Sequence, residues 1–411
     1  MRFLLLLMLA GSALHAQQYS LLIKNGHVID PRNHIDAVMD IALRDDTIAK
    51  VATHIDPAKA ATVIDAKGLY VTPGLIDIHT HNFIGTTPNR YLNNSYSAVA
   101  PDGFTFRCGV TTVVDAGSSG WRSFETFLDQ TIRHSQTRVL AFLNIVGGGM
   151  RGGAYEQDTN DMDAKMTALT IRQYKKYIVG IKVAHFEGAE WTPVDRAVQA
   201  GEMTGTPVMI DFGGSNPPLP LNELFEKHLR PGDIFTHVYA NVKGRMPVVD
   251  GSGKVPDYIW AARKKGILFD VGHGGTSFSY KIAMPAMKAG FLPNTISTDI
   301  HTGSMNAAMK DELNVMSKMM ALGMSFNALI KATTDDAAKA IRHEELGALS
   351  ENAVADIAIL RLEKGQFGFA DPMGVKLEGK ERIACELTIR AGKVVYDLNG
   401  LADSITVQTE N

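Results

Sequence analysis

Two histidines one residue apart, His79 and His81 in GLIDIHTHNF, are the residues whose type and spacing first point to chemistry. In a strand, side chains repeat every second residue, so both imidazoles would face the same way; in a helix the pair would diverge. The run before them, VTPGLIDI, is β-branched and has Pro73 and Gly74 at its start, which reads as a strand. Two imidazoles converging at a strand end can share one cation. An isolated pair of this kind is more often structurally neutral. Five further residues change that balance: Lys182, Asp211, His237, His273 and Asp299 each end an apolar run of the same kind. Singly, a strand-end histidine is a hydrogen-bonded residue, an aspartate a helix cap and a lysine a snorkelling side chain. Together they form a ring of ionisable groups in one mouth.

The elements that would position them recur regularly. Eight apolar runs, TPGLIDIHTH, GVTTVVDAG, RVLAFLNIV, IVGIKVAH, TPVMIDFGG, GDIFTHVYA, KGILFDVGHG and NTISTDIHTG, follow at intervals of about 30 residues, the length of a βαβ unit. Amphipathic helices fit between them, as in PLNELFEKHL and PDYIWAARKKG, and after them, in KDELNVMSKMMALGM and SFNALIKATTDDAAKAI. This α/β alternation over residues 71–346 predicts a (β/α)8 TIM-type barrel, whose chemistry sits at the C-terminal ends of its strands. A doubly wound open sheet is the alternative, and it lacks a Gly-rich phosphate fingerprint after the first strand.

Residues 17–70 and 347–411 have a different texture. YSLLIKNGHVID carries an Asn-Gly hairpin signal, DIALRDDTIAKVA a second hairpin and ATVIDAKGLYVTP a third pair. VADIAILRL and ERIACELTIRAGKVVYDLNG mirror them near the C-terminus. A small β-sandwich domain built from both chain ends accounts for the match. Residues 1–16 read as a signal peptide: Arg2, an apolar stretch from Phe3 to Leu14, and a small-residue exit at Ala16. The expectation is an exported protein, periplasmic or secreted, with no membrane contact after cleavage. No cysteine follows the exit, and the two cysteines, Cys108 and Cys385, read as small buried hydrophobes. With 411 residues, 45% hydrophobic, 21% charged and a net charge of −3, the chain offers nothing to a polyanion such as nucleic acid. A small-molecule substrate is the expected partner, and a homo-oligomer is compatible with the sequence.

The stretches VTPGLIDIHTH, GVTTVVDAGSSG, GIKV, LRPGDIFTHVY, FDVGHGGTSFS, PNTISTDIHTG and ALSENAVADIAIL also carry a family likeness. Across almost all of residues 20–360 the chain resembles the amidohydrolase superfamily of metal-dependent hydrolases, and within it the deacetylase and dihydroorotase-like group. The resemblance implies a centre of two divalent metal ions, commonly zinc. It makes His79 and His81 ligands from the first strand, Lys182 the bridging lysine, His237 the sixth-strand ligand and Asp299 the eighth-strand aspartate. A lysine amine cannot bridge two cations, but N-carboxylation with CO2 turns it into a two-oxygen anion; the amine must be neutral part of the time, which burial favours. Asp299 would take a proton from the attacking water and deliver it to the leaving group.

One position departs from the pattern. The family usually carries a histidine at the end of strand five, where PVMIDFGG offers Asp211, an acceptable metal ligand that would reduce Lewis acidity. A single-metal or weakly held second site is the alternative to Asp211 as ligand. His185 could replace the missing histidine or contact substrate, with a surface residue as the alternative. His273, His301 and Arg151 complete the substrate-binding candidates, with a solvated loop residue as the alternative for Arg151. The activity implied is hydrolysis of an amide, or an ester, in a small N-acyl compound, N-acetyl compounds above all. A cyclic-amide hydrolase of the dihydroorotase kind and a non-catalytic, metal-stabilised binding barrel are the alternatives; the retained Asp299 weighs against the last.

Overall fold

The structure, a computed structural model, describes residues 17–85, 97–211 and 214–402. The signal-peptide reading falls on residues 1–16, outside the described residues. The chain opens with five strands, β1 (Tyr19–Asp30), β2 (Ile35–Arg44), β3 (Thr47–Ala52), β4 (Ala60–Asp65) and β5 (Tyr70–Pro73). β2 and β3 form the expected hairpin. The Asn-Gly signal does not mark another. YSLLIKNGHVID is one strand with a bulge between Ile23 and Gly26, where Asn25 is left-handed with φ 60°. A Cβ on Gly26 would lie 2.3 Å from Val71 Cγ2, so glycine is needed for close approach rather than for reversal. The bulge is also where β1 changes partner. β4 pairs in parallel with Tyr19–Lys24 and β5 with His27 and Val28, so ATVIDAKGLYVTP supplies two successive neighbours of β1, not a hairpin.

The middle of the chain builds a parallel sheet in sequence order: β6 (Leu75–Thr80), β7 (Val110–Gly120), β8 (Arg138–Asn144), β9 (Ile178–Ala184), β10 (Val208–Asp211), β11 (Ile234–Phe235) and β12 (Leu268–Phe269). The eighth run closes the circle through single parallel bridges, Thr295 to Asp270 on one side and Ile300 to Thr80 on the other. The result is the (β/α)8 barrel that the alternation predicts. Every residue of β6, β7, β9 and β10 is buried, as expected of strands covered on both faces. The helix Thr192–Thr204 shows why the intervening segments coil. Pro193 presets its first turn, Gly205 ends it in a left-handed conformation, and Val194, Ala197, Ala200 and Gly201 form its buried face.

The last strands, β13 (Ile357–Ala370), β14 (Lys376–Arg390) and β15 (Lys393–Asp397), return to the first sheet, in the order β15-β14-β13-β5-β1-β2-β3 with β4 also on β1. Both chain ends therefore share one mixed sheet. Asp356 ties it to the barrel, accepting from Arg138 Nη1 at 2.5 Å and Arg390 Nη1 at 3.3 Å. The helix Glu312–Ala321 makes a second tie, with Ser317 Oγ accepting from the Ile383 amide at 3.0 Å. Cys108 and Cys385 are buried free thiols. Among the described residues, no helix is long and apolar enough to cross a membrane.

Candidate metal centre

The strand ends bring six nitrogen and oxygen atoms into one region. His79 and His81 come from the end of β6, Lys182 from β9, Asp211 from the last position of β10 and His237 from just beyond β11. Asp299 comes from the eighth run. His81 Nε2 lies 3.0 Å from Asp299 Oδ1, and His79 Nε2 lies 3.6 Å from the same oxygen. These three buried residues could hold a metal ion. Across the centre, His237 Nε2 is 3.0 Å from Asp211 Oδ2. Lys182 Nζ stands between the two groups, 3.0 Å from His79 Nε2 and 3.9 Å from Asp211 Oδ2.

The surroundings fix which nitrogen of each ring faces inward. His237 Nδ1 is 2.5 Å from the Gly272 carbonyl, which only accepts, so that nitrogen carries a proton. The Thr236 hydroxyl donates to Asp270 Oδ2 at 2.7 Å and so accepts from His79 Nδ1 at 3.0 Å. His81 Nδ1 rests on Ser118 Oγ at 2.9 Å. In each ring Nε2 is left for the centre. His237 Nε2 faces the Asp211 carboxylate at 3.0 Å, a pairing that a cation shared between them satisfies. Imidazole Nε2 and carboxylate oxygens, with each outer nitrogen held by a hydrogen bond, are the donor set a divalent metal takes. The residues fit the group.

Glycine and backbone strain make this packing feasible. A Cβ on Gly272, itself at φ +46°, would stand 2.3 Å from Thr236 Oγ1 and 2.8 Å from His237 Nδ1. His185, His237 and Asp299 all have positive φ, at 53°, 57° and 51°. Such conformations cost about 1–3 kcal/mol each and persist where the surroundings over-determine them.

The charges are perturbed as burial and close approach require. Burial works to raise the Asp299 carboxyl, but the close His79 and His81 rings hold it well below the usual carboxylate range. Asp211 is likewise held down, by His237 above all, against its burial. Burial and the adjacent Lys182 push His79 down to about 3. Burial lowers Lys182, although Asp211 and Asp299 oppose it. Burial pushes Asp77 up to about 7 despite hydrogen bonds from Thr298 and the His79 amide.

Known proteins place this geometry in a family. An amidohydrolase family model matches residues 247–396. A deacetylase of Brucella anthropi is 32% identical over 352 residues, covering 83% of this chain and 84% of its own. The chain belongs to the amidohydrolase superfamily. Two solved structures that this amidohydrolase resembles are an adenine deaminase, with a TM-score of 0.83, and a dihydroorotase, with a TM-score of 0.80. Each is 28% identical; the match covers 92% of this chain in both, 100% of the first structure and 99% of the second. Fold, donor set and relatives agree on a metal-dependent hydrolase.

The remaining sequence candidates sit differently in the amidohydrolase. His185 reaches the centre, with Nε2 at 3.6 Å from Asp211 Oδ2 and Nδ1 at 2.9 Å from Glu156 Oε2. His273 has both ring nitrogens engaged within the protein. Its Nδ1 is 2.9 Å from the Gly274 carbonyl, its Nε2 is 2.8 Å from Lys318 Nζ, and its ring stacks on Phe278. His301 caps the short helix Thr302–Met305 by accepting from the Gly303 amide at 3.2 Å. Its ring centroid stands 6.4 Å from that of His81. The Arg151 guanidinium lies over the Tyr155 ring at 3.8 Å.

Sequence reading missed Thr236, Asp270, Ser118, Glu156 and Arg245. Thr236 and Asp270 occupy the same strand ends as the ligands, a usable signal. Glu156, in the short 3-10 helix Gly153–Gln157, and Arg245, in a loop, lie outside the strand ends and carry no such signal. Arg245 is buried and donates to Asp211 Oδ1 at 3.1 Å and to the Thr236 carbonyl at 2.9 Å.

Proposed function

We propose that the protein hydrolyses an amide bond, or an ester bond, of a small N-acyl compound, with N-acetyl compounds as the preferred class. In this reading the centre would hold two divalent cations, zinc by donor type, and Lys182 would be N-carboxylated. His79, His81 and Asp299 hold one cation, and His237 with Asp211 the other. The observation that carries the reading is Asp299 Oδ1 lying 3.0 Å from His81 Nε2 and 3.6 Å from His79 Nε2. The deacetylase relative supports the choice of bond. Residues 1–16 support export to the periplasm or beyond.

A divalent cation bound here lowers the pKa of water and polarises the scissile carbonyl. The protein's own residues do the rest. Asp299, kept ionised by the two histidines, takes a proton from the attacking water and returns it to the leaving amine or alkoxide. Lys182, desolvated and lowered, reacts as the neutral amine with CO2, releasing a proton and leaving an anionic carbamate. Ser118, Thr236 and Gly272 hold the outer nitrogens of the three rings, so their inner nitrogens keep their aim.

A screen of the zinc-loaded protein against N-acetyl amino acids of both configurations, acetyl esters and cyclic amides tests the reading. Acetate release supports it. Opening of cyclic amides alone moves the assignment to the dihydroorotase-like alternative, which the likeness to a dihydroorotase structure favours. Metal binding without turnover on any class leaves the metal-stabilised binding barrel.

A further inference from the structure

We infer that Lys318 is a positioning residue for the hydrolysis: through His273 it sets the turn Gly272–Gly274, against which one carboxylate oxygen of Asp299 packs. The inference rests on the reading above that Asp299 moves the proton, and it needs only the His79, His81 and Asp299 half of the centre. Lys318 lies within the helix Glu312–Ala321, between Ser317 and Met319, and is wholly buried. An amine in such a place costs free energy that an apolar side chain like that of Met319 does not. Among the described residues no carboxylate forms an ion pair with it. Its hydrogen bonds go instead to His273 Nε2, at 2.8 Å, and to the Ala308 carbonyl, at 2.6 Å.

The bonds around the ring run in one direction. The Gly274 carbonyl only accepts, so His273 Nδ1, 2.9 Å away, carries the ring proton, and Nε2 accepts from Lys318 Nζ. The ring also lies flat on Phe278, with centroids 4.5 Å apart and planes at 14°. Lys318 and Phe278 thus hold an imidazole that in turn holds the carbonyl of its own neighbour. The same turn is stitched to the eighth run, the His273 amide donating to the Ser297 carbonyl at 3.2 Å and the Gly274 amide to the Thr298 carbonyl at 2.9 Å. Gly272 and Gly274 take positive φ, 46° and 57°, which glycine reaches without strain but does not hold by itself.

The far side of the turn faces the carboxylate that moves the proton. A Cβ on Gly274 would stand 2.3 Å from Asp299 Oδ2 and 3.3 Å from its Cγ, so this backbone is the wall on which Oδ2 rests. Asp299 Oδ1 is directed at His81 and His79, and Oδ2 is the oxygen whose direction the turn controls. Removing the Lys318 amine leaves His273 Nε2 buried without a donor. Ring and turn then relax together, and Oδ2 loses its wall. A shift of about 1 Å at a reacting group can cost up to roughly 100-fold in rate.

Steady-state kinetics of the full-length, zinc-loaded protein on an N-acetyl amino acid that wild type cleaves test this. Lys318→Met, apolar and of similar length, should lower kcat roughly 10–100-fold, with zinc content unchanged. KM should stay within about twofold, since the loss lies in the reaction step rather than in binding. Lys318→Gln, which keeps an N–H donor, should lose less. In an Asp299→Asn background, Lys318→Met should lower kcat by less than about twofold, because the group it positions is already gone. A role in stability alone would move the urea midpoint and leave the kcat of the folded protein at the wild-type value. That result, or losses that multiply with Asp299→Asn, would overturn the inference and leave the proposed hydrolysis standing. NMR of isotope-labelled histidines in wild type reads the His273 tautomer without turnover: the proton should sit on Nδ1, and a proton on Nε2 instead would overturn the inference even if no variant folds. Wild type that cleaves no substrate class would overturn the reading of Asp299 and the inference with it.

Discussion

Lys318 and His273 form a buried pair behind the strand ends, with Nζ and Nε2 2.8 Å apart and Nζ also donating to the Ala308 carbonyl at 2.6 Å. Burial brings the Lys318 amine down to about 7. Above that pH it is neutral in the folded protein, while the unfolded chain stays protonated to about pH 10. Unfolding therefore takes up a proton in that window, and stability should rise with pH between about 7 and 10, by at most about 1.4 kcal/mol per pH unit. Below pH 7 both states are charged and the contribution is constant. Urea midpoints of wild type and Lys318→Met should diverge across the window; parallel curves would exclude Lys318 as the source.

Asp299→Asn should separate proton transfer from metal holding. The amide keeps the size and one oxygen donor but cannot take a proton. Turnover should fall roughly 10²–10⁴-fold. Zinc content should stay near that of wild type, and turnover at the wild-type rate would remove Asp299 from the proton-transfer role.

Lys182→Ala removes the group standing between the two halves of the centre. Zinc content should fall with activity. Bicarbonate together with a short-chain carboxylic acid should restore part of both, since a small anion can occupy the space of the carbamate. Full zinc content in the variant would show that Lys182 contributes no ligand.

Gly272→Ala tests whether the ring stack depends on a missing side chain. The added Cβ would meet Thr236 Oγ1 at 2.3 Å, His237 Nδ1 at 2.8 Å and His79 Nδ1 at 3.0 Å, on a backbone of positive φ. Zinc affinity should drop roughly 10–100-fold because two ligands lose their aim. Stability should fall by about 1–3 kcal/mol, read from a denaturant titration. Unchanged affinity would mean that the rings tolerate a shift of Thr236.

Asp356 offers a measure of how the two sheets hold together. Asp356→Ala leaves Arg138 and Arg390 without the carboxylate that pairs them. A loss on the order of 2–3 kcal/mol is expected, discounted from the buried-pair range because both arginines are partly exposed. A change below 0.5 kcal/mol, roughly the level of an ordinary surface substitution, would place the tie between the sheets elsewhere.

The residue pattern alone specified the barrel and the polar strand ends that meet at its mouth. Buried parallel strands must be apolar along their length, so polar side chains at their ends stand out, and regular spacing orders them around one mouth. His79, His81, Lys182, Asp211, His237 and Asp299 were legible for that reason. Local signals with two physical uses were not. Asn25-Gly26 reads as a reversal, but Gly26 is required because Val71 packs against it, a contact formed only when β5 lies along β1. His273 reads as one more strand-end histidine, yet Lys318 arrives from a helix 45 residues later and takes its outer nitrogen. Glu156 behind His185 and Arg245 beside Asp211 are 29 and 34 residues from their partners and sit in a one-turn 3-10 helix and a loop, too short for periodicity. Chain folding, not residue spacing, sets those distances. The tertiary structure therefore decided how each ligand is aimed and how the charge of Asp211 is balanced.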